Sequence, residues 1–146
     1  MLLVVAVLPD RGLADSLQPQ AKIFSLQRPD KDPHQELPEL DNPLVYGLSW
    51  RFRWRTIEPE AGHYNWTPID QAVAVTGKAG KKTMLRVVAG INSPEWVLQA
   101  GAQVFDFSNT DLAHPKNYAA NLRMPIPWDE VYLKSWEEFI RAFGKR

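Results

Sequence analysis

The chain has 146 residues, which is enough for one domain with a substantial hydrophobic core. Its 17 Lys and Arg residues balance its 17 Asp and Glu residues, so no net field favours nucleic acid or an anionic membrane surface. The absence of cysteine excludes disulfide frameworks, thiolate metal sites and cysteine nucleophiles.

Residues 1–20 are predicted to form a leader before a folded domain over residues 21–146. An apolar run over residues 2–8 is followed by Gly12 and Ala14, small residues at the spacing of a signal-peptide cleavage site. No Lys or Arg precedes the run, so a signal remnant, a buried strand and a disordered leader are all compatible with it. The run is too short to span a bilayer, and no membrane partner is expected. Secretion and a cytoplasmic location both stay open.

Segments rich in branched and aromatic residues predict four β-strands. They cover residues 21–27, 44–54, 82–90 and 103–107. The third strand is an almost continuous apolar run, which is typical of a strand covered on both faces. Proline and aspartate predict a loop over 28–43, with one helical turn near 35–40, and residues 109–127 are expected to be irregular.

Two helix starts share one pattern, in which a capping hydroxyl is followed by proline. The residues are Thr67 and Pro68 in the first helix, and Ser93 and Pro94 in the second. Asp70 is expected to complete a capping box in the first helix, which should end at Gly80. The second helix is shorter and should end at Gly101.

A closing helix is predicted from about Trp128 to Phe143, because apolar residues recur there at helical spacing. Its expected buried face consists of Tyr132, Trp136, Phe139, Ile140 and Phe143. The alternation of strands with capped helices predicts an α/β fold with a parallel sheet. About three βα units are expected, over residues 22–40, 44–80 and 82–143.

The strand over 44–54 alternates between two rows of side chains. Leu48, Trp50, Phe52 and Trp54 form one row, and Ser49, Arg51, Arg53 and Arg55 form the other. If helices cover the apolar row, the arginines point into a polar concavity near the ligand-binding end of the sheet, where carboxylates can pair with them. The alternative is an exposed sheet face with solvated arginines.

Further candidate site residues follow the strands. Arg86 interrupts the next strand, and Glu58, Glu60, His63 and Glu95 lie in or beside loops just past strand ends, where catalytic groups are commonly found. Trp54, Trp66, Trp96 and Trp128 lie in or beside the same loops. Exposed tryptophan faces are suited to binding sugar rings. Each tryptophan also has a simpler interpretation as a packing residue, and Glu58 as a partner of Arg53 or Arg55.

Other chemistries are disfavoured. The three histidines, His34, His63 and His114, lack the spacing of a metal-ligand set, so no metal site is expected. No G-x-S-x-G motif or phosphate-binding glycine loop occurs. The balanced charge and the absence of a basic run argue against single-stranded nucleic acid as the partner of the aromatic cluster.

Four segments together resemble the N-terminal part of TIM-barrel glycoside hydrolases, in the β-galactosidase-like and cellulase-like group. They are "GLSWRFRWRTIEPEAGHYNWTPID", "GKKTMLRVVAG", "SPEW" and "MPIPWDEVYLKSW". The most specific spacing is that of Trp54, Glu58, Pro59, Gly62, Tyr64, Trp66 and Asp70. The resemblance covers about residues 21–146 and implies a carbohydrate partner, no cofactor, and a sugar site lined by Arg53, Trp54 and Trp96.

The resemblance also implies a partial (β/α)8 TIM barrel. In such families the acid/base glutamate follows the fourth strand and the nucleophile follows the seventh, and this sequence ends where the fourth strand is expected. A full barrel needs about 250 residues. Neither catalytic glutamate can therefore be assigned to a position in this chain.

Three functions stay open: a carbohydrate-binding partial barrel without the usual glutamate pair, an active glycosidase that uses its own carboxylates, and a truncated product that only self-associates. The candidate catalytic residues are Glu58, Glu60 and Glu95, and the candidate substrate-binding residues are Arg51, Arg53, Trp54, Arg86, Trp96 and Trp128. Three parallel strands cannot close a barrel, so the open edge predicts a homo-oligomer. The alternative is that the leader folds back as an extra strand.

Overall fold

The structure is a computed structural model that describes residues 22–28, 37–106 and 123–146. Five strands are present: β1 Ile23–Gln27, β2 Val45–Arg53, β3 Lys82–Val88, β4 Val104–Asp106 and β5 Arg123–Pro125. Four helices accompany them: α1 Trp54–Ile57, α2 Thr67–Lys78, α3 Glu95–Gln99 and α4 Glu130–Lys145. Short 3-10 turns occupy Pro38–Leu40 and Gly90–Asn92. The predicted leader, and most of the loops predicted over 28–43 and 109–127, lie outside the described residues.

Strands β1, β2 and β3 form one parallel sheet in that spatial order. Helices α1 and α2 lie between β2 and β3, and α3 follows β3, whereas the described residues between β1 and β2 form only a 3-10 turn. The parallel sheet with its helices is compatible with the predicted α/β class. Strands β4 and β5 form a separate antiparallel pair, whose second strand falls in the stretch expected to be irregular. The described strands make an open three-stranded sheet, and they do not by themselves form a closed barrel.

The hydrophobic core covers one face of this sheet. Leu48, Trp50 and Phe52 of β2 are buried, with exposed fractions of 0%, 7% and 1%. Trp50 Nε1 donates a hydrogen bond of 2.9 Å to Thr76 Oγ1 on α2, which fixes this helix against the sheet. Helix α4 packs through Phe139, whose side chain is fully buried in the same core.

Gly47 lies at the closest approach between the strands. A Cβ atom at this position would meet the backbone carbonyl oxygen of Lys82 on β3 and the ring of Phe24 on β1. Only glycine therefore lets the ring of Phe24 lie over β2 at this point.

The prediction that the strand over 82–90 is covered on both faces is wrong. Lys82, Met84 and Arg86 are exposed, whereas the alternate residues Thr83 and Leu85 are half-buried. One face of β3 packs toward the core, and the described residues leave the other face open. A run of apolar residues indicates high β propensity, but it does not indicate whether helices cover one face of the strand or both.

The predicted helix caps also need correction. Thr67 is the first residue of α2 rather than its cap, and Trp66 occupies the cap position without a side-chain capping bond. Asp70 instead accepts hydrogen bonds of 2.8 and 2.7 Å from Arg146. Ser93 does not cap α3, because Pro94 occupies the cap position.

Helix α4 begins later than predicted and is capped by a side chain that the sequence analysis did not single out. Asp129 Oδ1 accepts a hydrogen bond of 2.9 Å from Tyr132 N, and Asp129 Oδ2 accepts one of 3.2 Å from Gln103 N. These bonds, the Tyr132 bond first, lower the pKa of Asp129. Ile140, which was expected on the buried face, is 45% exposed. Among the described residues, no helix is both long enough and apolar enough to cross a membrane.

Candidate functional site

Three arginines lie on the sheet face that points away from the core, and we call them the arginine patch: Arg51, Arg53 and Arg86. Arg51 and Arg53 alternate along β2 with the buried Trp50 and Phe52, so they project to the opposite face. Arg86 is the register partner of Arg51 on β3 and projects to the same side. Arg51 is half-buried, and the other two are exposed.

The arginine patch lies toward the carboxyl ends of β2 and β3, because Arg53 is the last residue of β2 and is in register with Val88 at the end of β3. Register partners on adjacent strands are about 4.8 Å apart, so the guanidinium groups of Arg51 and Arg86 can reach one ligand. Open α/β sheets bind ligands at this end. The patch therefore occupies the position expected of a binding site.

Glu58 is a buried carboxylate immediately after α1. It is 3% exposed, and both of its oxygens accept hydrogen bonds: Oε2 from Trp54 Nε1 at 2.8 Å, and Oε1 from Gly62 N at 2.9 Å. Its main-chain oxygen accepts a third bond, from Trp96 Nε1 at 3.2 Å. Glu58 thus connects Trp54 of α1, the turn at Gly62 and Trp96 of α3.

Trp54 lies inside the core and is fully buried. Its ring contacts Trp96 edge-to-face, with centroids 5.9 Å apart, and also Trp136 at 4.9 Å and Phe139 at 5.6 Å. Because no part of this ring reaches solvent, Trp54 acts here as a packing residue. Trp96 is half-buried and forms the outer member of the pair.

Tyr64 and Trp66 form a stacked pair beside this cluster, with ring centroids 4.9 Å apart. Burial raises the pKa of Tyr64, and the negative charge of Glu58 and a hydrogen bond to it raise the pKa further. A neutral phenol is therefore favoured next to the Glu58 carboxylate. Tyr64 is not among the predicted site residues, although its spacing from Glu58 within the glycoside hydrolase motif is a signal that could have indicated it.

The other candidate glutamates lie outside this buried cluster. Glu60 Oε2 is 3.1 Å from His63 Nδ1, and both side chains are about three-quarters exposed, at 76% and 77%. Glu95 is the first residue of α3 and is also exposed. Of the three candidate glutamates, only Glu58 is held by hydrogen bonds to the aromatic cluster.

Trp128 is the most exposed tryptophan in the described part of the chain, at 78%. It precedes Asp129, the cap of α4, and so lies close along the chain to the antiparallel pair β4–β5. Its ring faces solvent, which is the property that a sugar-stacking residue needs.

The family model for glycoside hydrolase family 42, the beta-galactosidases, matches residues 48–146. The chain belongs to this family. The matched span begins on β2 and contains the arginine patch, the buried Glu58 and Trp128. This match confirms the resemblance that the motif spacing indicated. No curated protein and no solved structure matches the chain.

For this family 42 chain, the structure brings together part of the expected site. Arg51, Arg53 and Arg86 share one face of the sheet. Trp54 and Trp96 contact each other, and both donate hydrogen bonds to Glu58. Within residues 22–28, 37–106 and 123–146, no cluster of His, Asp or Glu side chains could hold a metal ion. The roles of the six predicted substrate-binding residues and the three predicted catalytic residues stay predictions.

Proposed function

We propose that this chain forms the part of a beta-galactosidase-type fold that binds the sugar, through the arginine patch and the neighbouring tryptophans. The observation that carries the proposal is the position of Arg51, Arg53 and Arg86 on one open sheet face within the span that matches the family. A guanidinium group offers five N–H donors and no acceptor, which suits it to sugar hydroxyl and carboxylate oxygens. The description of the matched family, beta-galactosidase, makes a galactoside the expected ligand class.

The tryptophans would complete such a site in different ways. Trp96 is half-buried and Trp128 is 78% exposed, so each has ring surface available for the apolar face of a sugar. Trp54 is fully buried and would support Trp96 from behind through their edge-to-face contact. This assignment replaces direct sugar contact by Trp54 with a packing role.

Glu58 is poorly placed to be a catalytic group. A general acid or a nucleophile must reach the reacting atoms, and both Glu58 oxygens already accept bonds, from Trp54 and Gly62, in a side chain that is 3% exposed. Retaining chemistry requires a second carboxylate about 5–5.5 Å away, and inverting chemistry about 6.5–9.5 Å. Glu60 Oε2 instead lies 3.1 Å from His63 Nδ1. The proposed function therefore assigns sugar binding to the arginines and tryptophans, and no catalytic role to Glu58 or Glu60.

The binding proposal is tested by titrating the protein with a galactoside and following tryptophan fluorescence, with the matched glucoside as a second ligand. We expect a saturable change with the galactoside, which Arg51→Gln and Arg86→Gln weaken and Trp96→Ala abolishes. Arg141→Gln is the matched control, since Arg141 pairs with Glu137 on the exposed face of α4. No response to millimolar galactoside in the unaltered protein would contradict the proposal.

The same preparation tests the alternative of an active glycosidase. Hydrolysis of a chromogenic galactoside, if present, should be unchanged by Glu60→Gln or Glu95→Gln when rates are corrected for the folded fraction. Loss of turnover in Glu60→Gln or Glu95→Gln, with the fold intact, would assign catalysis to these residues and refute the binding-only assignment.

We also propose that the chain self-associates through the part of the open sheet face that Leu26 and Met84 occupy, beside the arginine patch and not over it. Leu26 on β1 and Met84 on β3 are register partners of Ser49, and both are exposed, at 45% and 43%. Exposed apolar side chains on an open sheet favour association between copies. Sedimentation at micromolar concentration tests this, and a single species near 16.7 kDa would exclude it.

A further inference from the structure

Two contacts hold Trp96 in place, and both are made with a buried unit that consists of Glu58 and Trp54. Its indole N–H donates to the main-chain oxygen of Glu58 at 3.2 Å, and its ring lies edge-to-face on Trp54 at 5.9 Å. Trp54 in turn donates its own indole N–H to Glu58 Oε2 at 2.8 Å. The orientation of the half-buried ring therefore depends on Glu58 and Trp54 together.

The carboxylate of Glu58 also fixes the main chain that carries this carbonyl oxygen. Glu58 Oε1 accepts the backbone N–H of Gly62, a residue with a φ of 74°, so the loop after α1 closes around the side chain. Glu58 N donates to Trp54 O at 2.8 Å, which closes the other side. Hydrogen bonds to a charged acceptor are roughly twice as strong as those between neutral groups, so a carboxylate holds this loop better than an amide would.

We infer that Glu58 is a positioning residue, whose buried carboxylate orients Trp96 as the ring that stacks on the galactoside. The inference rests on the proposed function for its sugar-binding part. It gives a role to a buried acid that the binding proposal leaves without one. Glu58 acts through Trp96 and does not itself contact the sugar.

The decisive variant is Glu58→Gln, which keeps the shape of the side chain. The amide oxygen can still accept from Gly62 N, but its NH₂ group then faces Trp54 Nε1, so that two donors meet. The matched control is Thr76→Val, which removes the acceptor of another buried indole, that of Trp50. Both variants remove one indole acceptor, and only the first belongs to the proposed unit.

The first measurement needs no sugar. Hydrogen exchange of the indole N–H groups is followed by NMR after assignment of the six tryptophan signals. We expect exchange at Trp96 to accelerate at least about tenfold more in Glu58→Gln than in Thr76→Val, whose lower global stability sets the background acceleration. Unchanged exchange at Trp96 in Glu58→Gln would overturn the inference, as would equal acceleration in both variants, which would indicate a general loss of stability.

The second measurement is galactoside affinity in a double-mutant cycle between Glu58→Gln and Trp96→Ala, followed by calorimetry because Trp96→Ala removes the fluorescence response. We expect Glu58→Gln alone to weaken binding about tenfold, and the double variant to bind no more weakly than Trp96→Ala alone. Additive losses, or unweakened binding in Glu58→Gln, would overturn the inference. If the unaltered protein binds no galactoside, the proposed function fails, and the exchange measurement alone decides whether Glu58 positions Trp96.

Should Glu58→Gln fail to fold, Trp54→Phe provides the same test from the other partner. It removes the indole donor to Glu58 Oε2 while retaining an aromatic ring in the core. Accelerated exchange at the Trp96 N–H in this variant supports the inference, and unchanged exchange overturns it.

Discussion

The hydrogen bond between Trp50 and Thr76 offers the sharpest test of how the sheet is held to helix α2. Trp50 Nε1 donates to Thr76 Oγ1 at 2.9 Å, and the two side chains are 7% and 0% exposed. Thr76→Val replaces the hydroxyl with a methyl group of similar size, so the indole N–H loses its acceptor in a site that water does not reach. The substitution thus isolates one hydrogen bond with little change in packing.

The magnitude follows from the asymmetry of buried hydrogen bonds. A buried donor left without an acceptor costs about 1–3 kcal/mol. Thr76 Oγ1 also donates to Ala72 O at 2.7 Å, but this oxygen keeps the helical N–H of Thr76, so losing the second bond adds little. We expect a loss of about 2 kcal/mol in the free energy of unfolding. For a chain of this length that corresponds to a fall of roughly 4–8 °C in Tm.

The assay is chemical denaturation of four proteins: the unaltered chain, Thr76→Val, Trp50→Phe and the double variant. In the Trp50→Phe background no indole donor remains, so Thr76→Val should then be almost neutral. Thr76→Ser is the second control, because it keeps the hydroxyl and loses one methyl group, at about 0.8 kcal/mol. An equal cost of Thr76→Val with and without the indole would refute the reasoning.

Three further predictions concern a helix cap, a strand contact and a phenol. Asp129→Ala should lower stability in thermal denaturation at neutral pH, because it removes the oxygen that accepts from Tyr132 N, and Asp129→Asn, which keeps a capping oxygen, should lower it less. Because the Tyr132 N–H bond lowers the pKa of Asp129, the advantage of the unaltered protein over Asp129→Asn should be present above the unfolded pKa and lost as pH falls through the folded pKa; an advantage that persists in strong acid contradicts this. Gly47→Ala should strongly lower stability in thermal denaturation, because the new Cβ meets the backbone of Lys82, and unchanged stability would contradict the register. Because the pKa of Tyr64 is raised, the contribution of its phenol to stability is present below the unfolded pKa, near 10, and is lost as pH rises through the folded pKa. Tyr64→Phe should remove this alkaline loss of stability, as followed by circular dichroism. An unchanged alkaline transition in the variant would contradict the assignment.

Local patterns in the sequence predicted the elements whose residues repeat with a clear period. The alternation of Trp50 and Phe52 with Arg51 and Arg53 correctly predicted two faces for β2, because the period of a strand is set by its own backbone. The period of α4 likewise predicted that Phe139 is buried. Both features depend only on residues within one element.

Features that depend on distant partners were not predictable in the same way. Asp70 fits a local capping box, but its carboxylate pairs with Arg146, 76 residues later in the chain. Trp54 is of the residue type that stacks on sugar rings, yet four aromatic rings surround it. These are the rings of Trp96, Tyr132, Trp136 and Phe139. The position of Glu58 after a strand makes it a candidate catalytic acid, and its burial depends on residues that only the three-dimensional structure brings around it.

The order of the three parallel strands in space repeats their order along the chain. During synthesis each strand can therefore dock on the edge of the strand made before it, and none has to insert between two existing neighbours. Strand β2 pairs first with β1 and gains its second neighbour only when β3 has emerged. The face that carries Arg51 and Arg53 therefore gains Arg86 only when β3 has docked on β2.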